Sequence, residues 1–146
     1  MLKKICITFA LVCGTFLVAN GHNLSSWQTA SASHYGQNFS KVGDGRGLGC
    51  FSEERIRSGS ISLGSSIVKK LKRFKKGGAP IYVQVNDKDI NVVTPYGKNI
   101  FRVDDKMAKK FCKEDRFYID FFYKDIDMEH RNLGRFKIKF RVISLG

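Results

Sequence analysis

The sequence predicts an all-β fold with one short helix, wound into a small closed or nearly closed barrel in a single domain. Three observations support this. The second half carries short runs of alternating hydrophobicity, and the first half is polar and rich in Ser and Gly. The length fits one hydrophobic core.

Lys3 and Lys4 precede an apolar run over residues 5–18, the layout of a signal peptide, with Ala19 and Gly21 at the small-x-small cleavage positions. Residues 1–21 are therefore expected to leave, making His22 the first mature residue. The domain is then residues 22–146, with its core at about 30–143. The leader's apolar run is shorter than the roughly 20 residues of a membrane span, and no later stretch approaches that length. The expectation is a secreted, extracellular, monomeric protein without a membrane span.

Lys and Arg total 26 against 13 Asp and Glu, a formal charge of +13. The leader takes two lysines and no acid with it, so 13 − 2 leaves +11. Such a field favours polyanions, and export argues against nucleic acid among them. Once Cys6 and Cys13 leave with the leader, Cys50 and Cys112 form the one possible intrachain pair. A disulfide is expected in an oxidising compartment, with two buried free thiols as the alternative. No histidine stands at ligand spacing from either cysteine, so no metal site and no cofactor is expected. The glycine cluster at residues 43–49 reads as a tight surface turn, because no apolar strand leads into it and no helix pattern follows.

The remaining elements follow in order. Residues 65–71 are expected as a strand, separated by the basic turn at Lys75, Lys76, Gly77 and Gly78 from a second strand with Ile81, Val83 and Val85 on one face. Over 105–112, Met107, Ala108, Phe111 and Cys112 share a helical side, and an aspartate stands before the first turn, so a helix is expected there. Phe117, Ile119, Phe121 and Tyr123 share one strand face. Phe136, Ile138, Phe140 and Val142 share another, with Arg135, Lys137, Lys139 and Arg141 opposite.

Several segments carry a resemblance. Ile61-Ser62-Leu63-Gly64 followed by Gly77-Gly78 and Val83-Gln84-Val85-Asn86-Asp87 is similar to the central block of the expansin-like and rare-lipoprotein-A-like double-psi β-barrel family. Ala32-Ser33-His34-Tyr35-Gly36 resembles the family's opening strand. Arg102-Val103-Asp104-Asp105 resembles its apolar-Asp-Leu-Ser segment, and residues 134–143 its terminal strand. The Gly-Pro that follows the central block in the family is missing here.

The resemblance implies a six-stranded double-psi β-barrel whose groove holds a glycan. Asp104 would be the groove acid and Asp87 the second catalytic carboxylate, while Ser33 and Tyr35 contact the sugar. The spacing of one branch selects Asp105 in place of Asp104, and either aspartate has a capping role as its rival reading. The lytic branch carries a glutamate that residues 47–51 do not offer, so wall loosening without hydrolysis is the expected activity. The implied partner is cell-wall polysaccharide or peptidoglycan. The alternative within the same barrel is a barwin-like or papain-inhibitor-like protein that binds a secreted protease.

Overall fold

Strand alternation decides which side chains meet inside the barrel. The computed structural model describes residues 23–35, 43–71, 79–86, 90–122 and 134–143. In chain order the elements are β1 (Gln28–Tyr35), β2 (Ser60–Leu63), α1 (Ser65–Lys70), β3 (Tyr82–Asn86), β4 (Val93–Thr94), β5 (Gly97–Lys98), β6 (Ile100–Lys106), a 3-10 turn (Lys109–Phe111), β7 (Tyr118–Phe122) and β8 (Phe136–Ile143). Ala30 and Ala32, Ile61 and Leu63, Val83 and Val85, Phe101 and Val103, Ile119 and Phe121, and Ile138 and Phe140 each sit two residues apart, and all are buried. Phe101 meets Phe121 edge-on at 4.9 Å between ring centroids, and Phe117 meets Phe140 at 5.8 Å. Each fully buried Ile, Leu, Val or Phe side chain among them contributes on the order of 1.5–3 kcal/mol.

Six strands close the barrel in the order β1-β7-β2-β6-β3-β8, while β4 and β5 form a separate small hairpin. β1 runs parallel to β7 and β2 parallel to β6, and the other four barrel pairs are antiparallel. Exchanging β1, β2 and β3 with β6, β7 and β8 reproduces both the cyclic order and every strand direction. The barrel thus has an internal pseudo-twofold, with its axis between β2 and β7 where Ser62 faces Asp120. The expected all-β barrel with one short helix is the fold observed.

Two elements differ from expectation. Residues 65–70 are helical: Ile67, Val68 and Leu71 follow a helical i, i+1, i+4 pattern and pack on the barrel core. Six residues are too few for periodicity alone to separate that face from a buried strand. The helix expected over 105–112 is instead the end of β6 followed by the 3-10 turn. The strand is extended there because the Met107 N–H donates to the Leu63 carbonyl, and Asp105 Oδ1 accepts the N–H groups of Cys50 and Lys106. Neither Asp104 nor Asp105 caps a helix.

The loop over residues 43–56 folds back on β6. Asp44 Oδ1 accepts the N–H groups of Arg46 and Leu48, which tightens the glycine-rich turn. The Asp104 carbonyl accepts the N–H groups of Phe51 and Ser52 at 3.1 and 3.0 Å. Gly49 makes that contact possible, since a Cβ there would lie 1.9 Å from the Asp104 carbonyl oxygen.

Candidate functional site

On the outside of the barrel, the register places Ser33 beside Asp120, Asp120 beside Ser62, and Ser62 beside Asp105. Their neighbours in sequence, Ala32, Ile119, Phe121, Ile61 and Leu63, point into the core. A polar row therefore crosses β1, β7, β2 and β6, alternating hydroxyl, carboxylate, hydroxyl, carboxylate. The pairing of β2 with β6 shifts between Ile61 and Ser62, and this irregularity at Asp104 brings Asp105 into the row. Three of the four residues, Asp120, Ser62 and Asp105, line a cleft of about 650 Å³ together with Tyr35, Cys50 and Phe111. Lys69, Lys106 and Lys109 also border it, so the acids lie in a cationic frame.

Both carboxyls favour their protonated form more than an ordinary aspartate does. Burial pushes Asp105 up and the Asp104 charge adds to it, against the N–H bonds from Cys50 and Lys106. Burial also pushes Asp120 up, with a further contribution from the Asp105 charge, while the Ser33 hydroxyl bond, Arg135 and His34 pull the other way. The Ser33 hydroxyl donates to Asp120 Oδ1. Two cleft acids whose proton affinity burial raises are suited to accepting and donating hydrogen bonds to a hydroxyl-rich ligand. Burial raises the Cys50 thiol as well, and the Asp105 charge reinforces it, so this cysteine is held as a neutral thiol.

The expected site residues separate. Ser33, Tyr35 and Asp105 come together at the polar row and the cleft. Asp104 does not line the cleft. It is fully buried beneath the 43–56 loop, accepts the Ser60 hydroxyl at 2.5 Å, and lies 2.8 Å from Arg102 Nε as a charge contact off the line of a good hydrogen bond. Burial opposes the Arg102 charge, but Asp104, helped by Tyr96 and Glu54, outweighs it and holds the guanidinium pKa above its ordinary value. That is a structural ion pair in place of a groove acid. Asp87 lies outside the described residues.

Cys50 and Cys112 are both free thiols, and the expected disulfide is not formed. Each is held locally: the Cys50 N–H donates to Asp105 Oδ1, and Cys112 Sγ lies 3.7 Å from the Ala108 carbonyl oxygen. Sequence reasoning missed Asp120 altogether. Its signal was a lone acid at an outward position between Ile119 and Phe121 on a strand otherwise built of apolar and aromatic residues.

No protein-family model matches the chain, and no curated protein matches its sequence. Among the described residues no helix is long and apolar enough to cross a membrane, and no group of three or more His, Cys, Asp or Glu side chains is placed to hold a metal ion.

Proposed function

We propose that this is a secreted, expansin-like protein that seats a glycan chain of cell-wall polysaccharide or peptidoglycan across the row Ser33, Asp120, Ser62 and Asp105, and loosens the wall without hydrolysis. The single observation behind this reading is the alternation of hydroxyl and carboxyl groups across four adjacent strands, three of these groups lining one cleft. A glycan presents hydroxyls at regular intervals, and each meets an acceptor or donor along this row. Tyr35 and Phe111, the latter 57% exposed, offer apolar surface for sugar rings at the cleft. Loosening follows if the row takes over hydroxyls that otherwise bind neighbouring polymer chains. Asp105 already accepts two backbone N–H groups and Asp120 the Ser33 hydroxyl, which supports binding roles for both in this reading.

Sedimentation of the protein with purified cell wall and with peptidoglycan tests this, alongside an assay for new reducing ends. The expected result is binding that drops about tenfold or more in D120A and D105A, with no reducing ends released. Equal retention of both variants and the wild type would overturn the cleft as the binding site. Inhibition of a cysteine protease, with no affinity for any wall polymer, would replace this reading with the protein-binding one.

A further inference from the structure

A second surface lies around the barrel from the cleft. β8 sits between β1 and β3, with Lys137 opposite Ser31, Lys139 opposite Thr29 and Asn86, and Arg141 opposite Gln84. Ile138 and Phe140 are buried between them, so these cations and their neighbours all point outward. The exterior of this three-strand face has cations along its centre and neutral hydroxyl and amide groups on both flanks. No acid occupies any of these outward positions. Arg141 is held in place by Gln84, whose Oε1 accepts its Nε–H at 2.9 Å, and its guanidinium lies 4.7 Å from the ring centre of Trp27. Trp27 is 40% exposed, one of the few exposed large apolar side chains among the described residues.

We infer that the outer face of β1, β8 and β3 is a docking surface for an acidic polysaccharide, separate from the cleft. Alternate strand residues repeat at about 7 Å, so Lys137, Lys139 and Arg141 form a line of about 14 Å. An extended chain carrying a carboxylate on every sugar or every second sugar can be matched along such a line. The Thr29, Ser31, Gln84 and Asn86 side chains supply donors and acceptors for the sugar hydroxyls beside it. Trp27, preset by Arg141, adds an aromatic plane against which a sugar ring packs. A lipid headgroup layer fits less well, because the outward apolar groups of the face, Trp27 and the paired Tyr82 and Ile143, lie at its Arg141 end, and Tyr82 and Ile143 are half-buried there. A nucleic acid would use the cations but not the flanking groups, since its affinity rests mainly on phosphate contacts.

The test uses the whole protein, with polygalacturonate as the probe and a neutral glucan of similar length, duplex DNA and phosphatidylserine vesicles as comparators. The wild type is expected to bind polygalacturonate with an affinity that falls steeply as salt rises, and to bind the neutral glucan without that dependence. K137Q/K139Q/R141Q is expected to lose about tenfold or more for polygalacturonate. The bulk-charge control K98Q/K110Q/K113Q should lose less than about threefold. W27A reports on the aromatic contact through a several-fold loss whose salt slope matches the wild type. Thermal unfolding of each variant identifies any that fails to fold. For such a variant the single changes K137Q and K139Q, both at exposed positions, replace it. Equal losses in the two triple variants would reduce the effect to net charge and overturn the inference. So would tighter binding of DNA or vesicles than of polygalacturonate at equal salt.

Discussion

At Asp104 and Arg102, two charges are taken out of water together. Their mutual attraction and the Ser60 hydroxyl offset the desolvation. Removing one partner leaves the other buried and uncompensated, so D104N is expected to lose about 3–5 kcal/mol in urea unfolding. An apolar replacement of both, R102M/D104L, should recover much of that loss. Asp105, the next residue, has a different environment because the strand irregularity turns it towards the cleft. The sequence offered two adjacent aspartates and no means of choosing, since the choice depends on a register shift against a strand more than forty positions away. Asp120 gives a pH signature. Its folded pKa is raised, so the native state holds a proton that the unfolded chain releases, and stability falls as pH climbs from the ordinary aspartate range through the raised value. D120N keeps an acceptor for Ser33 and removes the titration. The variant should therefore melt higher than the wild type near neutral pH and lose that advantage below about pH 4, the ordinary aspartate range. Melting curves at several pH values check this, and an unchanged difference across them would remove Asp120 as the source.

Among the elements, the 43–56 loop has the least tolerance. At Gly49 any side chain meets the Asp104 carbonyl, which is backbone and cannot turn aside. G49A is expected to lose about 3 kcal/mol, the upper end of overpacking costs, and to weaken binding at the cleft that Cys50 borders. Gly45 is the contrast. It has a positive φ but open space around it, so G45A should cost only about 1–2 kcal/mol from backbone strain. Thermal unfolding of the pair separates close approach from conformation. The regular strands were legible because alternation is a local signal, as with Ile138 and Phe140 against Lys137 and Lys139. α1 and the 105–112 segment were not. In the first, six residues satisfy a strand and a helix equally. In the second, the extended backbone is imposed by partners on β2 and the loop, while Phe111 on the would-be helical face stays exposed.

For the whole molecule, every barrel pairing joins segments distant in sequence, and two of the pairs are parallel. The strand character of β3, β7 and β8 could be anticipated from patterning, but the count of six strands could not. Their cyclic order could not, because period-two patterning says which face is buried and nothing about which neighbour lies alongside. Non-local closure is slow, and refolding from urea is expected as a millisecond-to-second process in stopped-flow fluorescence of Trp27, with microsecond folding as the contrary result. The pseudo-twofold has a further consequence. Rotation about its axis superimposes the backbone of the row on itself but exchanges each hydroxyl with a carboxyl, Ser33 with Asp105 and Ser62 with Asp120. A polymer laid across it therefore reads donor then acid from one end and acid then donor from the other. A symmetric scaffold has acquired polarity, so a sugar chain with distinct reducing and non-reducing termini would be threaded in a single sense.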